Sequence, residues 1–126
     1  MSNNLSSNVI FFLGLDAQFK ILHWQTKGYA RHKAFDEIIS TLKDLTDEFV
    51  ETSMGKTGRF VLDDSNKTIS IVNLSELNIV EFLQQIKSKL IGLSTELSPE
   101  KDTDLLNIRD EMLGSINKLA YLLTLE

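Results

Sequence analysis

Cysteine is absent from the 126-residue sequence, which excludes disulfides, a thiolate nucleophile and any cysteine-built zinc or iron–sulfur site. That absence fits a reducing cytoplasm, where the chain is expected to reside. Proline occurs once, at Pro99, so long helices can run without the break that a pyrrolidine ring imposes. Long apolar runs are missing too. The longest, Val9 to Leu13, falls well short of the roughly 20 residues that a membrane-spanning helix needs. No basic stretch followed by a small-residue cleavage site marks a secretion signal, and a soluble, unprocessed chain is expected. Positive charge is sparse near the start, where the first basic residue is Lys20, and the net charge is -5 with a pI near 5.0. Such a field repels nucleic acid and anionic membranes, so neither is an expected partner.

What is present is an ordinary globular mixture, 42% hydrophobic and 25% charged, with room for one domain over residues 1–126. Helical periodicity divides it into four long segments. The first, about Leu5 to Lys27, sets Leu5, Val9, Phe12, Leu15, Phe19 and Leu22 at helical spacing and meets Gly28 as a C-terminal cap. The second runs from about Arg31 to Met54 and stops before Gly55 and Gly58. The third opens at Asn73 or Ser75, where Asn73 and Glu76 have capping-box spacing, and continues through Leu77, Val80, Leu83, Ile86, Leu90 and Leu93. The fourth starts at Ser98-Pro99 and carries Leu105, Ile108, Met112, Leu119 and Leu122 or Leu123 on its core stripe. Gly14, Gly92 and Gly114 fall inside these segments, and close helix contact is the simplest reason for tolerating roughly 1 kcal/mol of lost propensity at each. Residues 59–72 read as either a small hairpin or an irregular crossing. A short first connection makes the first two helices antiparallel neighbours, while the long second one can cross the bundle. The predicted architecture is an all-α, ferritin-like four-helix bundle with a long crossover between its second and third helices.

Both histidines, His23 and His32, and the only tryptophan, Trp24, fall in one short window. Counting on from His32, carboxylates follow at Asp36, Asp47 and Glu51, which on an ideal helix lie at roughly 40°, 60° and 100° from it, a single stripe. Asp36 and Asp47 are nevertheless about 16 Å apart along the axis and cannot share an ion within one chain. Antiparallel apposition of two chains about a two-fold axis would set His23, His32 and Asp36 of one against Asp47 and Glu51 of the other. Mixed imidazole and carboxylate ligands suit Fe(II), with Mn or Zn as competitors.

The string from His23 to Glu51 resembles the signature of the Dps mini-ferritins: His23-Trp24, Lys27-Gly28, His32 with Asp36, and Asp47 with Glu51. The resemblance is concentrated in residues 19–54. It implies a ferroxidase that oxidises Fe(II) with hydrogen peroxide or dioxygen at an intersubunit site and stores Fe(III). It also implies a homo-oligomer built on two-fold dimers, up to a dodecamer, with His23, His32, Asp36, Asp47 and Glu51 as metal ligands and Trp24 as a redox neighbour.

The same residues admit a plainer account. His23 can be a capping or packing histidine and Trp24 a core filler, and the carboxylates can be solvated helix charges, with Lys43 and Asp47 an i,i+4 pair. The chain would then be a non-catalytic structural or interaction protein, such as a scaffold or virus-particle component, that keeps the bundle. Other chemistries find no footing. Lys20 and Tyr29 stand where a Glu-x-x-His di-iron pattern requires glutamate. Gly55-Lys56-Thr57-Gly58 lacks the upstream glycine and preceding strand of a phosphate-binding loop, and no serine hydrolase motif is present.

Overall fold

The computed structural model describes residues 2–125, and side chains over 5–125; positions 1 and 126 of the single expected domain lie outside the described residues. Four helices carry the fold: α1 (Ser2–Gln25), α2 (Tyr29–Thr57), α3 (Ile79–Glu96) and α4 (Thr103–Leu122). A single 3-10 turn, Leu74–Glu76, precedes α3. The predicted all-α four-helix bundle is the observed architecture.

Contacts between helix ends fix the directions. Lys56 near the end of α2 meets Asp102 and Asp104 at the start of α4, and Lys118 late in α4 meets Glu37 early in α2, so these two helices are antiparallel. Asn8 early in α1 meets Glu96 at the end of α3. With α1 and α2 joined by residues 26–28 as an antiparallel hairpin, α2 and α3 run the same way. The chain must therefore travel the length of the bundle between them, which is the expected crossover.

That crossover is an irregular path. It has one isolated bridge, Asp63 with Asn66, and no hairpin of paired strands among the described residues. It is fastened to α1 at three points by polar side chains. Ser6 Oγ accepts the Asp63 amide at 2.9 Å. The buried Gln18 carboxamide donates to the Val72 carbonyl and accepts the Val72 amide, each at 2.9 Å. Gln25 donates to Asn73 Oδ1 and accepts the Leu74 amide at 2.7 Å. From Ser6 to Gln25 the helix rises about 29 Å, and beyond the turn that the Asn66 amide closes onto the Asp63 carbonyl an extended chain covers about 26 Å between Asn66 and Leu74. A largely extended segment therefore suffices, and the backbone groups of Asp63, Val72 and Leu74 find partners on α1 instead of in a sheet.

The core follows the helical stripes. Leu5, Val9, Phe12, Leu15, Phe19 and Leu22 of α1 are all buried, as are Phe35, Ile38, Leu42 and Phe49 of α2. Phe12 packs edge-on against Phe49 at 5.3 Å, and Phe19 against Phe82 at 5.5 Å. Over Leu5–Gln25, α1 is long and apolar enough to cross a membrane by length and composition, contrary to the estimate from its longest uninterrupted run. Half of that stretch is buried inside the bundle.

Several boundaries differ from expectation for local reasons. Gly28 does not cap α1 but is the extended N-cap residue of α2, while Gly58 ends α2 at a φ of 87°, in a region open to glycine. The Asn73–Glu76 pair serves the 3-10 turn, with Glu76 accepting the Asn73 amide, and the side chain of Asn78 caps α3 by accepting from Glu81. Ser98 accepts the amides of Glu100 and Lys101 in a separate turn, which delays α4 to Thr103. Gly14 faces Ile69 of the crossover, not a helix, and a side chain placed at Gly92 or Gly114 would meet nothing within 4 Å. Close helix packing therefore explains none of these three glycines.

Candidate functional site

The hairpin between α1 and α2 brings the two histidines together, as their positions on either side of a short turn suggest. Their rings stack with centroids 3.9 Å apart and planes 21° from parallel. His23 Nδ1 lies 3.0 Å from the His32 carbonyl, and His32 Nδ1 lies 3.0 Å from the His23 carbonyl. A carbonyl oxygen can only accept, so each Nδ1 carries the proton and donates, leaving each Nε2 as the free nitrogen. The pair is a reciprocal clasp across the hairpin.

Such a clasp is poorly arranged to chelate one ion. A metal about 2.1 Å from an imidazole nitrogen lies close to that ring's plane, and two rings stacked nearly parallel direct their Nε2 lone pairs along lines that do not converge. The carboxylates give no further help within the chain. Asp36, Asp47 and Glu51 are all exposed on α2, and no group of three or more ligand-type side chains gathers to hold a metal among the described residues. The structure thus joins His23 with His32 and separates that pair from Asp47 and Glu51, as the helical rise requires. Any joint site needs a second chain.

Other expected features also change. Trp24 is 69% exposed and fills no core. Lys43 and Asp47 form no ion pair among the described residues; the i,i+4 pair that does form is Asp16 with Lys20 at 3.1 Å. Both Lys43 and Asp47 sit instead at a groove of about 300 Å3 between α1 and α2, which reaches Ile86 and Met112 of the core. Lys56 of the glycine-flanked Gly55–Gly58 stretch is engaged by two carboxylates, at 3.2 Å from Asp102 and 2.7 Å from Asp104. Its hydrogen bond to Asp104 is the main cause of a raised ammonium pKa. Asp104 is lowered chiefly by the same bond, and Asp102 chiefly by the Ser98 amide that it accepts. The cluster anchors α2 to the start of α4 at the end of the bundle remote from the histidines.

One buried charge escaped the sequence reading. Arg109 donates to the Leu90 carbonyl and Ser94 Oγ, each at 2.9 Å, and its Nε reaches Asp110 at 2.8 Å, bracing α4 against α3. Its spacing from Leu105, Met112 and Ile116 puts it on the core stripe, which was the available signal. Among the described residues no buried side-chain nitrogen or oxygen lacks a partner, so the interior polar groups are fully used by the fold.

The bundle end that holds the clasp has four of the large apolar side chains that meet solvent, while Leu13, Val61 and Ile91 are exposed elsewhere. Trp24 closes α1, Tyr29 opens α2 at 77% exposed, Val80 opens α3 at 71% and Tyr121 closes α4 at 62%. Sequence patterning assigns Val80 to the core stripe; the stripe begins instead at Ile79, and Val80 stands about 100° round the helix from it, in solvent.

Comparison with known proteins places these features in a family. A family model described as "Family of unknown function (DUF5856)" matches residues 23–123. The chain is 34% identical over 121 residues to an "Uncharacterized 14.6 kDa protein in mobD-ri intergenic region" of Enterobacteria phage T4, covering 91% of this chain and 87% of the phage protein. No solved structure matches. The resemblance to Dps mini-ferritins is overturned by this match: the sequence that carries it, from His23 onward, falls within the DUF5856 span. A helix-borne His-x-x-x-Asp and Asp-x-x-x-Glu pattern is short enough to arise on an ordinary amphipathic helix.

Proposed function

This chain belongs to the DUF5856 family, and from that premise we propose that it is a non-catalytic interaction protein, a rigid bundle that acts by presenting surface to other proteins. The observation that carries this reading is that three exposed aromatic side chains, Trp24, Tyr29 and Tyr121, stand at one end of the bundle together with Val80. Exposed aromatic anchors supply much of the binding energy where protein contacts form. The likeness to a phage protein supports a viral setting, in which a scaffold or particle component is the structural alternative already named. Assembly into two-fold dimers stays within this reading, with α2 of each chain offering an antiparallel contact face.

The test compares surface with chemistry in the host that carries the gene. Proximity labelling is run with wild type, with a Trp24→Asp/Tyr29→Asp/Tyr121→Asp variant and with a His32→Ala/Asp36→Ala variant. The expected result is loss of the labelled neighbours in the first variant and their retention in the second. Retention in the first with loss in the second would reverse the proposal.

A further inference from the structure

A groove of about 630 Å3 opens at the same end of the bundle, between the first turn of α2, the first two turns of α3 and the end of α4. Its lining is largely apolar and includes Ile79, Val80, Leu83, Ala120 and Leu123. Its charged lining residues are Arg31 and Lys87, both cations. Neither is in a salt bridge among the described residues: Arg31 donates to the Leu123 carbonyl at 3.4 Å, and Lys87 donates to Asn117 at 3.3 Å. In a protein of net charge -5, two cations unpaired with carboxylate beside an apolar trough are a local reversal of sign.

From this we infer that the groove binds an acidic amphipathic helix of another protein; the inference rests on the interaction reading above. From Ile79 to Lys87 the α3 wall rises about 12 Å, which matches the about 10.5 Å between positions i and i+7 of a docked helix. Apolar anchors at i, i+3 or i+4 and i+7 would fill the trough, and carboxylates flanking them would meet Arg31 and Lys87. A second copy of this chain docked symmetrically would set the cations of both copies around the two-fold axis, where like charges oppose binding. Nucleic acid and anionic lipid surfaces meet the acidic remainder of the molecule, with only two groove cations to offset it.

The test is a selection from a displayed library of helical peptides, randomised in charge and hydrophobicity, against the full chain. Individual winners are then measured by fluorescence anisotropy. Winners are expected to carry net negative charge with apolar i, i+3 or i+4, i+7 spacing. Their affinity should fall at least tenfold, about 1.4 kcal/mol, on Lys87→Glu or Val80→Asp, and should weaken as salt rises. Val80 is exposed, so its replacement leaves the core intact, and unchanged helical circular dichroism confirms this for each variant. Winners that are basic or uncharged, or that bind Lys87→Glu as well as wild type, overturn the inference. So does a wild-type dimer in light scattering that Val80→Asp converts to monomer, since the groove would then hold a second copy. Each of these results leaves the interaction reading standing, because that reading fails on a different measurement, the labelled neighbours of the surface and histidine variants.

Discussion

Replacing the two histidines singly and together isolates what the clasp contributes. His32→Ala removes one hydrogen bond, from His32 Nδ1 to the His23 carbonyl, together with the ring stack, but leaves the bond from His23 to the His32 carbonyl intact. A side-chain-to-backbone bond contributes about 1 kcal/mol net, and an aromatic stack adds about 0.5–1.5 kcal/mol. Each single variant should therefore lose about 2 kcal/mol, and the double variant about 3 kcal/mol, since the stack can be lost only once. The coupling energy of the cycle is then about 1 kcal/mol and belongs to the stack, both hydrogen bonds being to backbone that every variant keeps. Urea unfolding followed by circular dichroism measures it, with equal slopes across the four proteins as the control. A coupling near zero would refute the reasoning, because the two rings would then not be sensing each other.

Three further outcomes follow from local geometry. Gly58→Ala forces a side chain into a backbone region that is essentially glycine-only, with φ 87° and ψ 175°, and should cost about 1–3 kcal/mol in denaturant unfolding. Gln18→Ala frees the Val72 amide and carbonyl, at a cost of about 2 kcal/mol, and should raise amide exchange along the crossover before any helix loses protection. Asp102 and Asp104 have lowered folded-state pKa values, Asp102 through the Ser98 amide and Asp104 through Lys56. Their stabilisation is present above the ordinary aspartate pKa of about 3.9 and is lost as pH falls through their lower folded values. Thermal unfolding scanned below pH 4 should therefore show a steeper decline for wild type than for Asp102→Asn.

Much of the fold was legible because each helix announces its inner face. The stripes Leu5 to Leu22, Leu83 to Leu93 and Leu105 to Leu119 are buried as their 3.6-residue spacing requires, and the single long connection dictated a crossover. Helix ends were less legible, since Asn73, Ser98 and Gly28 are all good cap residues that here serve a 3-10 turn, an isolated turn and the opposite helix. Composition cannot say which of two neighbouring caps is used. The polar fasteners Ser6, Gln18 and Gln25 gave no periodic signal, because their partners, chiefly backbone groups, lie more than 45 residues away. At the site, spacing correctly brought His23 to His32 but could not specify ring orientation, and orientation decides between a chelate and a stack. The short motif shared with mini-ferritins misled for a related reason: ligand types at helical spacing also arise from an ordinary solvated helix face.

The central claim is that this bundle contributes surface and no redox chemistry. The most direct measurement is anaerobic titration of the purified protein with Fe(II), followed by addition of hydrogen peroxide, with oxidation read by absorbance against a protein-free control. The account predicts the same rate of iron oxidation with and without protein. Saturable Fe(II) binding near one ion per chain, with a peroxide-dependent rate that falls in His32→Ala and Glu51→Ala, would contradict it.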